Sequence, residues 1–133
     1  MLYLGVDHPA ISCHDVNGQV DWYCRNLGLK VIFNDGKNPP SVLVGYEGEM
    51  TAIELMPVRH PGPEPAEAQR YQPGLRHLAL RVGNFDEAYL NLKNLGAKFI
   101  TEPMPAVGGG KTAFFRDPEG NELQIIERNG KTK

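Results

Sequence analysis

Apolar and polar residues alternate in several short runs along this chain, and twice the alternation gives way to a helical spacing. Residues 121–126, NELQII, are an alternating run. A period of two puts Asn121, Leu123 and Ile125 on one side of a strand and Glu122, Gln124 and Ile126 on the other. Leu123 and Ile125 are expected to face a core, which leaves a carboxylate and an amide on the opposite face. Residues 8–15 (HPAISCHD) and 77–84 (HLALRVGN) alternate in the same way. Ile11 and Cys13 share a side in the first, and Leu78, Leu80 and Val82 in the second.

Each of these two runs leads into a helical pattern that closes on a glycine. In VNGQVDWYCRNLGLK the apolar positions are Val20, Tyr23, Cys24 and Leu27, followed by Gly28; in FDEAYLNLKNLGAKF they are Ala88, Leu92 and Leu95, followed by Gly96. A glycine just past the last apolar position is the expected helix stop. Short strands are expected after each helix. In the first half they lie near KVIFN, SVLVGYE and TAIELMP, and in the second near AKFITE, KTAFFRD and NELQIIE, with Gly-Pro punctuation between them.

The chain therefore repeats itself. His8 and His77 are 69 positions apart, Gly28 and Gly96 are 68 apart, and Glu54 and Gln124 are 70 apart. Each copy reads β-α-β-β-β, in modules of about 4–57 and 74–128 within a single domain spanning 1–133. The segment between them, PVRHPGPEPAEAQRYQP at 57–73, is a linker too rich in proline for a regular element. A copy this small is mostly edge and exposed face, so the halves are expected to need each other.

The repeat also gathers chemistry. Opposite the apolar faces, the first strand of each half offers His8 and His77. The last strands offer Glu54, between Ile53 and Leu55, and Gln124, between Leu123 and Ile125. A near two-fold arrangement would bring all four to one concave surface. Two imidazoles, a carboxylate and an amide oxygen form a mixed donor set suited to Zn, Ni, Co, Mn or Fe(II). One carboxylate on a divalent ion leaves net positive charge, so the ion would be a strong Lewis acid for an enolate or enediolate oxygen. His14 and His60 read as surface histidines.

Composition narrows the field. A length of 133 residues with 41% hydrophobic and 23% charged positions describes one ordinary globular domain. A net charge of −2 gives no electrostatic case for nucleic acid. No apolar run approaches the roughly 20 residues that cross a bilayer, so no membrane partner is expected. The N-terminus lacks the pattern of a signal peptide, and the expected compartment is the cytoplasm. Cys13 and Cys24 form no metal or redox motif and read as reduced fillers. PAVGGGKT has the look of a phosphate loop, but Pro105 stands where that motif needs glycine, and no strand-to-helix context surrounds it.

The order and spacing of several short motifs resemble the vicinal oxygen chelate superfamily. They are His8-x-Ala10-Ile11-(x)3-Asp15, Leu27-Gly28-Leu29, Ile53-Glu54-Leu55, Leu75-Arg76-His77-Leu78-Ala79 and FFRDPEGN at 114–121. That superfamily includes glyoxalase I, methylmalonyl-CoA epimerase, fosfomycin-resistance transferases, type I extradiol dioxygenases and bleomycin-resistance proteins. The resemblance implies an α+β fold of two tandem βαβββ modules whose mixed sheets form a metal-binding cup. It implies one divalent metal ion held by His8, Glu54, His77 and Gln124. Gln124 lies seven beyond the aspartate of the Asp-Pro-x-Gly turn, where glyoxalase I and several relatives carry glutamate; the epimerase and eukaryotic glyoxalase I use glutamine as a ligand. Glu122, on the same strand face, is the other candidate for that place.

The activity implied is that of a lyase or isomerase like glyoxalase I. Glu54 would act as the catalytic base on a small carbonyl substrate or its thiol adduct, passing through a metal-bound enediolate. Epimerase-like isomerisation of an acyl thioester, Fe(II) extradiol-type dioxygenation and metal-free drug binding are the alternatives. Arg81 and Lys111 are candidates for meeting an anionic substrate, with residues 105–112 as a mobile loop over the cup. A homodimer is expected, because the modules have open sheet edges and the family pairs modules within or between chains.

Overall fold

The computed structural model describes residues 1–59 and 73–129. The chain divides into two compact units, Met1–Pro63 and Glu64–Lys133. Most of the proline-rich linker expected at 57–73, with His60, lies outside the described residues; Pro57 is the last residue of a strand.

In the first unit the order is β1 (Ala10–Cys13), α1 (Val16–Leu27), β2 (Lys30–Asn34), β3 (Val42–Gly45) and β4 (Ile53–Pro57). The helix starts where Asp15 accepts a hydrogen bond from the Gly18 amide at 2.9 Å. It ends at Gly28, whose φ of 72° is left-handed and whose amide donates to the Cys24 carbonyl. Val16, Gln19 and Tyr23 are its buried residues, whereas Val20, Cys24 and Leu27 are only half-buried. The buried face is thus turned toward Gln19 relative to the apolar pattern. The sheet runs β1-β4-β3-β2, with β1 parallel to β4 and the other pairs antiparallel. Ile53 and Leu55 face its core, as the alternation predicts.

The second unit repeats the plan with β5 (Leu78–Arg81), α2 (Phe85–Asn94), β6 (Lys98–Phe99), β7 (Met104–Pro105), β8 (Lys111–Arg116) and β9 (Glu122–Glu127). Its sheet runs β5-β9-β8-β6, with β5 parallel to β9 and with β7 also paired to β8. Asn84 caps α2 by accepting from the Glu87 amide, and the Glu127 carboxylate accepts from the Phe85 amide at 2.6 Å. An aromatic chain, Phe85–Tyr89–Phe99–Phe115, fills the space between helix and sheet.

Three expectations need correction. His8 and His77 lie ahead of β1 and β5, not within them. Pro105, expected at the start of a loop over the cup, instead ends the short strand β7, which pairs with Lys111 and Thr112 at the edge of β8, where a residue without an amide proton is tolerated. Both faces of β9 are buried at its centre, with Gln124 8% and Ile126 6% exposed, and the second face lines a cavity together with Met104 and Phe114.

Candidate metal and substrate site

In the first unit Ala10 stands opposite Glu54 in the parallel ladder of β1 and β4. Ladder-like bonding continues ahead of β1. The Glu54 amide donates to the Pro9 carbonyl at 2.9 Å, and the Ala52 amide donates to the Asp7 carbonyl at 2.9 Å. These two bonds flank His8 and hold it beside Glu54. His8 Nε2 lies 3.1 Å from Glu54 Oε1, and His8 Nδ1 lies 2.7 Å from Asp7 Oδ2. The Asp7 carboxylate, with Glu54 adding to it, holds the His8 pKa above the ordinary value for histidine.

That geometry suits a metal ion. Donor atoms about 2.0–2.2 Å from one ion stand roughly 2.8–3.6 Å apart for right-angle to tetrahedral coordination. The 3.1 Å between Nε2 and Oε1 falls in that interval. A carboxylate behind Nδ1 is the usual support for an imidazole that ligates through Nε2.

In the second unit Ala79 stands opposite Gln124 in the parallel ladder of β5 and β9, which is the place Glu54 takes in the first. The register of β9 is set by the turn at 117–121. Buried Asp117 accepts hydrogen bonds from the amides of Glu119 and Asn121, each at 2.9 Å, and from Asn121 Nδ2 at 2.8 Å. This places Phe114 and Gln124 side by side. Gln124 Nε2 donates to Thr112 Oγ1 at 2.7 Å. The Thr112 hydroxyl donates in turn to the Ile125 carbonyl at 2.8 Å, so it can only accept from Gln124. The amide is thereby oriented, and its carbonyl oxygen points away from Thr112. A neutral oxygen donor presented in this way suits a divalent ion that is also held by imidazole.

His77 packs edge-on against Phe114, with ring centroids 5.0 Å apart at 82°. Its Nδ1 lies 3.7 Å from Glu122 Oε2. His77 and Gln124 both line a cavity of about 610 Å³ inside the second unit. Met104, Val107, Phe114 and Ile126 give it an apolar wall, while Thr112 and Arg128 add polar groups. Among the described residues, candidate metal donors gather as pairs within each unit, and no cluster of three or more His, Cys, Asp and Glu stands ready-made.

The two expected substrate-binding cations fare differently. Lys111 is not part of the cavity: strand parity turns it to the helix side of β8, where Nζ lies 2.7 Å from Asp86 and over the Phe85 ring. Arg81 pairs with Ile126 in the ladder and is exposed, but it does not line the cavity. Sequence reasoning missed Arg128, which does. The signal was present, since Arg128 continues the parity of Glu122, Gln124 and Ile126. Its Nη1 donates to the carbonyls of Val107 and Gly109, so it ties the loop after β7 to the end of β9. That loop is a turn of a hairpin, closed by the Ala106–Gly110 and Gly109–Ala106 backbone bonds, and not the start of a helix. The phosphate-loop reading fails here too.

A family model described as the Glyoxalase/Bleomycin resistance protein/Dioxygenase superfamily matches residues 5–125. The chain belongs to that superfamily. Within curated proteins, this superfamily member is 30% identical over 133 residues to the uncharacterized protein YwkD of Bacillus subtilis, covering 96% of this chain and 100% of that one. It is also 30% identical over 129 residues to the lactoylglutathione lyase of Escherichia coli O157:H7, covering 90% of each. Among solved structures, a superfamily member from Sphaerobacter thermophilus superposes with a TM-score of 0.74 at 23% identity, covering 96% of this chain and 100% of the other. That likeness supports the fold, two βαβββ-like mixed sheets of the glyoxalase type.

Proposed function

We propose that this protein is a metal-dependent lyase or isomerase that moves a proton between adjacent carbons of a small carbonyl compound or its thiol adduct. The observation that carries the reading is the 3.1 Å approach of His8 Nε2 to Glu54 Oε1, and the repeated ladder supports it by giving Gln124, opposite Ala79, the register that Glu54 has opposite Ala10. The 30% identity to a lactoylglutathione lyase supports the same chemistry.

His8, Glu54, His77 and Gln124 would hold the ion, one of Zn, Ni, Co, Mn or Fe(II). When bound, it supplies a Lewis acid that lowers the cost of negative charge on a substrate oxygen. Glu54 takes a proton from one carbon and returns it to the neighbouring carbon, so no oxidant or reductant is required. The apolar wall of the cavity would pack against the carbon skeleton of a substrate, and Arg128, whose Nη1 also holds the loop after β7, would offer a permanent positive charge to an anionic substituent. We further propose a homodimer, supported by the edge strand β2, where Val31, Ile32 and Phe33 are each about half exposed.

Two experiments test the reading. Elemental analysis of protein purified without chelator should find about one divalent ion per chain, lost in the His8→Ala, His77→Ala double variant; full occupancy in that variant would sink it. The metal-loaded protein should then isomerise thiol hemithioacetals of 2-oxoaldehydes, and Glu54→Gln should abolish turnover. Turnover only on acyl thioesters, read as solvent proton exchange, would assign the epimerase variant of the same proton transfer. Light scattering that stays at the monomer mass of 14.7 kDa across micromolar concentrations would reject the dimer.

A further inference from the structure

Glu122 carries a buried carboxylate oxygen that nothing in the proposed chemistry uses. Its side chain is 10% exposed, and Oε2 makes no hydrogen bond among the described residues. An unsatisfied buried oxygen on a charged group is costly, so its surroundings must answer it. The ring nitrogen it faces is Nδ1 of His77, at 3.7 Å, which is ion-pair range and just beyond a hydrogen bond.

The first unit contains the same relationship already closed. Asp7 Oδ2 lies 2.7 Å from Nδ1 of His8, and Nε2 is the atom turned to Glu54. The internal repeat does not explain this agreement. Position 76, which corresponds to Asp7, is Arg76, and position 52, which corresponds to Glu122, is Ala52. One carboxylate comes from the residue before its histidine and the other from across the sheet. Two unrelated positions thus put a carboxylate at the same nitrogen of equivalent histidines.

We infer that Glu122 is a positioning residue for His77: it takes the Nδ1 proton in a hydrogen bond and so presents the Nε2 lone pair to a ligand in the cavity. The inference builds on the metal reading of the same site, but it assigns Glu122 a place behind a ligand instead of on the ion. A histidine held in this way is fixed in tautomer and in ring orientation before any ion arrives. Phe114, edge-on to the ring, restricts the other rotations.

Long-range nitrogen NMR of the metal-free protein at alkaline pH reads the tautomer of His77 directly. The expected result is a proton on Nδ1 in the parent protein, a shift toward the Nε2-protonated form in Glu122→Ala, and recovery in Glu122→Gln, whose amide oxygen still accepts. Zinc affinity by calorimetry should fall about 10–100-fold in Glu122→Ala and recover in part in Glu122→Gln. An unchanged tautomer in Glu122→Ala overturns the inference. Complete loss of the ion in both Glu122 variants also overturns it, because Glu122 would then itself be a ligand. If the parent protein takes up no ion, the metal reading fails, and the tautomers still decide the role of Glu122.

Discussion

Thr112 holds Gln124 in one of its two possible amide orientations. Its Oγ1 is 2.7 Å from Gln124 Nε2, and its proton is committed to the Ile125 carbonyl. Thr112→Val should leave a buried amide N–H unpaired and cost about 1–3 kcal/mol in urea unfolding. It should also weaken zinc binding, because the glutamine can then flip. Thr112→Ser keeps the hydroxyl and should lose only about 1 kcal/mol for the missing methyl group.

The loop over the cavity depends on a glycine. A Cβ at Gly110, where φ is 108°, would lie 1.9 Å from the Glu127 carbonyl oxygen, which is backbone and cannot swing aside. Gly110→Ala should therefore destabilise the protein by roughly 2–4 kcal/mol from left-handed strain and overpacking combined. Chemical unfolding measures this, and Gly48→Ala, with positive φ but open space around it, is the control for strain alone.

Asp117 anchors the turn that sets the β8–β9 register. Asp117→Ala removes the acceptor of three hydrogen bonds and should cost roughly 2–4 kcal/mol. Asp117→Asn retains an acceptor for the backbone amides and should cost less. A stability loss in Asp117→Ala no larger than that of an exposed substitution would show that the register is held by the ladder alone.

His8 should titrate above 6.5, chiefly because of Asp7, with Glu54 contributing. Proton binding is then tighter in the folded chain than in the unfolded one. The corresponding stability is fully present below the unfolded pKa and is lost as pH rises through the raised native value. Ring-proton NMR checks the pKa, and Asp7→Asn should move it down. Because the imidazole must give up its Nε2 proton to coordinate, zinc affinity should climb with pH through that same raised value.

Much of this protein is decided by its sequence alone. Alternation and helical spacing are local properties, so the strands KVIFN and NELQIIE, both helices and the Gly28 cap could be read directly. The repeat does more, because equal spacing implies equal place in two copies of one fold, and spacing alone pairs Glu54 with Gln124. Tertiary structure decided which atoms those residues meet. Lys111 and Thr112 are neighbours in sequence, yet strand parity sends one to Asp86 and the other to Gln124. Asp7 and Glu122 reach equivalent nitrogens from positions that no period relates. A partner across a sheet is chosen by register and side-chain direction, and those are set by the β8–β9 turn and by helix crossovers that bring distant strands parallel.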